Sequence, residues 1–301
     1  MLTIAYDPIY AHPLPESHRF PMLKYELIPG QLLYEGVITE DNLFSPQPLE
    51  EDVILQTHTS NYWYRMKTGQ LTHREMRAIG FPQSPELVER EIRISKGTID
   101  CALNSLQYGV SLNVAGGTHH AFADKGEGFC LLNDFAFASH YLLNKKLVKK
   151  ILIIDLDVHQ GNGTASIFEG DSNVFTFSMH GQHNYPFHKE HSDLDIGLPD
   201  GTSGDEYLRI LEQILPELIE NEKPDFMCYV SGVDVLATDK FGKMKLSIRD
   251  CYNRDEIVFS NSKKYGIPVA VAMGGGYSPD IRHIVEAHCN TYKLAKDVFG
   301  L

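Results

Sequence analysis

Six short aliphatic runs constrain this chain more than any other feature of it: residues 2–5, 111–115, 151–154, 174–177, 226–230 and 269–273. They are apolar for most of their length and without sustained polar alternation, so each reads as a strand buried on both faces. Helix-like stretches separate several of them, at roughly 84–107, 133–147, 203–221 and 247–265, with a closing helix around 280–297. That alternation predicts an α/β fold whose mostly parallel central sheet is covered by helices on both sides. Ser203 followed by Glu206 offers a capping box for one helix, and Ser247 followed by Asp250 a weaker cap for the next. Residues 40–83 are less regular. A short helix is expected to start around Thr57, with Trp63 and Tyr64 as packing or rim residues.

No long linker, repeat or change of composition divides the 301 residues, so one domain spanning 1–301 is expected. The net charge of -13, from 40 acidic and 27 basic side chains, disfavours a surface that tracks phosphates, and no direct nucleic-acid binding is expected. No apolar run approaches the roughly 20 residues needed to span a bilayer, and the N-terminus lacks the layout of a secretory signal. Cys101, Cys130, Cys228, Cys251 and Cys289 are scattered, which points to reduced thiols and a cytoplasmic location.

Ligands of parallel sheets bind beyond the carboxyl ends of the strands, and four strand ends here carry chemistry. Gly116-Gly-Thr-His119-His120 follows the second run, and Asp155-Leu-Asp157-Val-His159 the third. Gly232 and Asp234 follow the fifth, and Gly274-Gly275-Gly276-Tyr277 the sixth. Strand alternation would place Asp157 and His159 on one side, a carboxylate and an imidazole suited to zinc. Asp234 completes a possible His/Asp/Asp set that leaves a position open for water, although it also suits a helix cap. Asp155 is set apart from that pair, as an acceptor for a histidine ring N–H. His119 and His120 suit opposite sides of one water, one taking its proton and the other supplying charge; their bland alternative is a structural pair. Tyr277, after three glycines, suits donation to a developing oxyanion or packing in a lid. Phe129 suits a channel wall, and His180 and His183 a position near the rim, although packing explains all three more simply.

Gly274-Gly-Gly lacks the Lys-Ser/Thr of a phosphate loop, and Gly-x-Ser-x-Gly, His-Glu-x-x-His and Cys-x-x-Cys are absent.

Taken together, Glu16-Ser-His18, Gly116-Gly-Thr-His-His-Ala, Gly128-Phe-Cys-Leu-Leu-Asn133-Asp, Asp155-Leu-Asp-Val-His159, Gly232-Val-Asp234 and Gly274-Gly-Gly-Tyr277 resemble the zinc-dependent histone deacetylase superfamily. The resemblance covers most of the chain and implies a three-layer arginase/deacetylase-like fold. It implies Asp157, His159 and Asp234 as zinc ligands, His120 as general base, His119 as electrostatic partner or acid, and Tyr277 as oxyanion donor. Gly128, Phe129 and Gly275 would then contact substrate. Asp155 would support His119 and, with Ser178, hold a potassium ion. The loop His159-Gln-Gly-Asn162-Gly looks like the class IV branch, since class I members place an aspartate where Asn162 stands. Asn162 would orient His120 without adding charge, so His120 is expected to be less basic.

The activity implied is hydrolysis of an acyl amide, with acetyl-lysine or fatty-acyl-lysine in a protein or peptide as substrate. Acetylpolyamines or another small acylated amine are the runner-up. A binuclear manganese hydrolase of the arginase type would need a richer set of bridging ligands, and a metal-containing acyl-ligand or partner-binding protein is the non-enzyme alternative.

Overall fold

A computed structural model describes residues 1–301. Its strands are β1 (Thr3–Ala5), β2 (Leu43–Phe44), β3 (Val110–Asn113), β4 (Ile151–Asp155), β5 (Val174–Gly181), β6 (Leu194–Leu198), β7 (Phe226–Val230) and β8 (Val269–Ala272). They form one sheet in the order β2-β1-β3-β8-β7-β4-β5-β6, and every pairing is parallel. The helices are α1 (Lys24–Tyr34), α2 (Glu51–Ile54), α3 (Ser60–Lys67), α4 (His73–Ile79) and α5 (Pro85–Tyr108) in the first part. After them come α6 (Asp134–Asn144), α7 (Asn162–Ile167), α8 (Gly204–Glu222), α9 (Ile248–Tyr265) and α10 (Ile281–Phe299). Helices α8, α9, α10 and α1 pack in succession as one layer, and α5 and α6 with α2, α3 and α7 as another.

All residues of β3, β4, β7 and β8 are buried; β4, β7 and β8 are apolar almost throughout, whereas β3 also buries Ser111 and Asn113, whose side chains donate to the Thr3 and Ile94 carbonyls. These four are neighbours at the centre of the sheet, so their C-terminal ends open onto one edge. The short helix expected near Thr57 is α3, capped by Thr59, with Trp63 buried and Tyr64 exposed. The capping expectations are reversed in strength. Ser247 and Asp250 form the full reciprocal box, whereas Ser203 only accepts from the Glu206 amide.

Strand alternation does not carry Asp157 to His159. Strand β4 ends at Asp155, and the two residues meet through a local turn in which the His159 amide donates to Asp157 Oδ1 at 2.9 Å. Side-chain capture of a nearby backbone N–H replaces the sheet ladder there. His180 does not reach the rim; it is buried on β5, 2.9 Å from Ser178 Oγ. His183 is exposed beside Asp200.

Candidate active site

The β3 loop turns through Gly116 and Gly117, both at positive φ, before presenting the two histidines. Asp134, at the start of α6, fixes that turn by accepting from the Gly117 and Thr118 amides at 3.0 and 2.8 Å and from the Thr118 hydroxyl at 2.8 Å. A backbone bond from Gly274 to the Gly116 carbonyl joins this loop to the one after β8.

His119 Nδ1 donates to Asp155 Oδ2 at 2.6 Å, and His120 Nδ1 donates to Asn162 Oδ1 at 2.6 Å. The ring centroids of the two histidines are 4.1 Å apart. Burial opposes a charge on His119, but Asp155 and then Asp157 outweigh it and hold its pKa up at about 9. His120 goes the other way. Burial, reinforced by His119 and His159, pushes it well below the usual imidazole value, while the Asn162 bond pulls weakly upward. At neutral pH one imidazole is therefore charged and its neighbour neutral.

Asp157, His159 and Asp234 offer ligand atoms that all lie within 4.8 Å of one another, and all three side chains are buried. His159 Nδ1 is 3.0 Å from Asp157 Oδ1 and 3.1 Å from Asp234 Oδ2. Burial, then the charge of Asp157, push the Asp234 carboxyl up to about 7. Two buried carboxylates turned toward one point need a cation, and this oxygen–oxygen–nitrogen set fits zinc. The Gly275 amide donates to Asp157 Oδ2 at 2.7 Å, and the Val158 amide to Asp234 Oδ1 at 2.9 Å.

Tyr277 is half-buried, its amide held 2.6 Å from Asp239 Oδ2. Burial, then Asp234 and Asp157, raise its phenol well above the usual value, so it keeps its proton at neutral pH. The Phe129 ring lies tilted beside it at 5.9 Å, in a left-handed backbone conformation (φ 68°) that the hydrogen bond from its amide to the Ile79 carbonyl holds in place. Gly128 packs against His120 so closely that an added Cβ would lie 2.6 Å from the ring. Ser178 pairs with Asp155 in the β4–β5 register.

Several residues at the site escape sequence reasoning. Phe20 and Phe241 complete the aromatic wall around Tyr277 at 5.9 and 5.0 Å, and Tyr185 sits edge-on to His120 at 4.9 Å. Lys24, fully buried, donates from Nζ to the Gly274 carbonyl at 3.3 Å. Burial brings its pKa down to about 8, although Asp234 and Asp157 favour its charge. Arg254 of α9 donates to the Ser231, Gly232 and Leu156 carbonyls, holding together the two loops that carry Asp157 and Asp234. Its charge is balanced by Asp255 at 2.8 Å.

Comparison with known proteins accords with this geometry. Residues 18–292 match the histone deacetylase domain model. An uncharacterised protein of Picosynechococcus sp. is 43% identical over 98% of this chain and 99% of its own length. Histone deacetylase 2 of Arabidopsis thaliana is 28% identical, over 89% of this chain and 72% of its own length. A histone deacetylase homologue solved in complex with SAHA superposes with a TM-score of 0.83 at 25% identity, covering 99% of this chain and 84% of the other. A buried His/Asp/Asp cluster at the carboxyl edge of a parallel sheet, and a family model matching nearly the whole chain, lead to one conclusion: the protein belongs to the histone deacetylase domain family, a zinc hydrolase of the deacetylase type.

Proposed function

We propose that the protein removes acetyl groups from Nε-acetyl-lysine in a protein or peptide, with Asp157, His159 and Asp234 holding zinc. The observation that carries this reading is the convergence of His120, His119 and the Tyr277 phenol on one cavity beside the three metal-suited residues. Bound zinc supplies Lewis acidity toward the acyl carbonyl and lowers the pKa of water.

The chain's own groups account for the rest. Because Nδ1 of His120 is committed to Asn162, its Nε2 lone pair is free to take a proton from water. His119, charged through Asp155, stabilises negative charge as it develops and can supply a proton to the departing amine. Tyr277 donates its hydrogen bond to the carbonyl oxygen. Gly128 and Phe129 flank the alkyl chain of the lysine, and Gly275 lies where the acyl group meets the carboxylates. A potassium ion beside Asp155 and Ser178 belongs to the same reading, supported by their adjacency in the sheet. The Asn162 loop supports a place in the class IV branch.

Acetyl is favoured over a fatty acyl group by the size of the cavity lined by Phe20, Tyr25, Ile94, His120 and Tyr277, about 40 Å³. That is space for roughly three waters, enough for a methyl ketone-sized group. The test is a panel of acetyl-lysine, long-acyl-lysine and acetylpolyamine substrates given to zinc-loaded protein of measured metal content. Release of acetate from the lysine peptide is expected. Zinc bound with no carboxylate released from any substrate defeats the proposal, and two manganese ions per chain would favour the arginase-type alternative.

A further inference from the structure

We propose that Arg19 and Arg77 select acyl-lysine substrates that carry a carboxylate beside the acylated side chain. This rests on the hydrolase reading above and names its substrate class. Outside the catalytic cavity lies a wider vestibule that reaches His120, His159 and Tyr277 at its base. Its outer wall is made by Arg19, Arg77, Lys243, Tyr185, Phe187 and Phe241.

Two observations set the arginines apart. The Arg19 guanidinium lies over the rings of Phe129 and Phe241, 5.1 and 5.4 Å from their centroids, which fixes a cation at the mouth while leaving its N–H fork free. Neither Arg19 nor Arg77 makes an ion pair, and of the unpaired arginines, which include Arg74, Arg209 and Arg249, these two alone line the vestibule; Arg65, Arg93 and Arg282 are each matched to a carboxylate. Acidic groups near the mouth are already engaged. Glu127 accepts from Tyr185 Oη at 2.7 Å and Lys125 Nζ at 2.6 Å, and Asp200 faces Lys243 and His183.

A chain with a net charge of -13 thus turns a positive face toward its own active-site mouth. A free guanidinium fork fits a carboxylate through paired hydrogen bonds. A local field of this sign draws in anionic substrates and repels polyamines. The carboxylate has two sources: an acidic residue flanking acyl-lysine in a peptide, or the α-carboxylate of free Nε-acetyl-lysine.

The experiment compares acetyl-lysine peptides with Asp/Glu, neutral or Lys flanks, and free Nε-acetyl-lysine with its amide-blocked form. Both kcat/KM and affinity by fluorescence anisotropy are measured, at low and high salt. The acidic-to-neutral ratio is expected to exceed one, with up to about fivefold from each arginine, and to shrink as salt rises. Arg19→Gln with Arg77→Gln should bring that ratio to about one, while Arg249→Gln, on the surface of α9, keeps it. Preference among peptides alone assigns the flanking residue; preference for unblocked acetyl-lysine alone assigns the α-carboxylate. Equal handling of acidic and neutral substrates, or a ratio that survives in the double variant, overturns the proposal. Acid-selective, arginine-dependent binding without turnover of any substrate would instead sustain it and defeat the hydrolase reading.

Discussion

His120 Nδ1 lies 2.6 Å from Asn162 Oδ1, so the imidazole is oriented by an amide that carries no charge. Its neighbour His119 meets Asp155 at the same distance and is held up at about 9. One loop therefore presents two histidines pushed in opposite directions: burial, His119 and His159 press His120 down against the pull of Asn162, while Asp155 and Asp157 hold His119 up.

The first prediction concerns that contrast. A base works when deprotonated, so the rate falls as pH drops through its pKa. With His120 pushed below the usual value, the acidic limb of kcat/KM is expected below pH 6.5. Asn162→Asp places an anion against the imidazole, favours its charged form and should move that limb to higher pH. A pH–rate profile of both proteins checks this, and coincident acidic limbs would count against Asn162 as the tuning group.

Tyr277→Phe should lower kcat by about 10²- to 10³-fold, the usual cost of losing one oxyanion donor. Because Tyr277 lies outside the cluster of Asp157, His159 and Asp234, zinc content should stay at the wild-type level. Loss of metal along with activity would mean the phenol matters to the architecture of the site instead.

Gly275→Ala tests the packing of the metal-suited carboxylates. An added Cβ would lie 2.0 Å from Asp234 Oδ2 and 2.8 Å from Asp157 Oδ2, distances no side chain can tolerate. The carboxylates must move, and zinc affinity measured by chelator competition is expected to fall by about 10- to 100-fold. Unchanged affinity would show that the carboxylates relax without leaving their ligand positions.

Away from the site, His58 gives stability a pH dependence. Burial lowers its pKa to about 4, and its Nε2 accepts the Asn133 amide at 3.0 Å, which requires an unprotonated nitrogen. The unfolded chain binds a proton near pH 6.5 that the folded chain refuses, so stability falls as pH drops from there toward 4, by roughly 3 kcal/mol. Urea titrations at pH 7 and 4.5 should show a smaller loss in His58→Gln, whose side-chain carbonyl can still accept. An identical loss in both proteins would exonerate His58.

The centre of the fold was easier to read than its margins, and for a physical reason. Strands β4, β7 and β8 are buried on both faces and apolar almost throughout, and β3 joins them with only Ser111 and Asn113 polar. The edge strand β6 alternates exposed and partly buried residues and includes Gly197, while β2 is only two residues long, so neither carries an apolar run that marks a strand. Helix α1 was hidden by Pro29 and Gly30, which ordinarily argue against a helix interior. The side chains at strand ends stood out because they are polar residues directly after apolar runs. Phe20 and Lys24 from one segment, and Tyr185 and Phe241 from two others, lie far in sequence from Tyr277 or His120, and their approach to those residues is a product of tertiary packing alone.

Arg254 shows how far upkeep of the reaction extends into the protein. One planar cation, wholly enclosed, sets the spacing between the Leu156 turn and the Ser231–Gly232 turn. Lysine carries its charge at a single point and has no rigid fork to span those carbonyls. Selection for turnover would thus reach a helix that substrate never meets, and an Arg-to-Lys exchange there, ordinarily counted as mild, would register as a fault in metal handling.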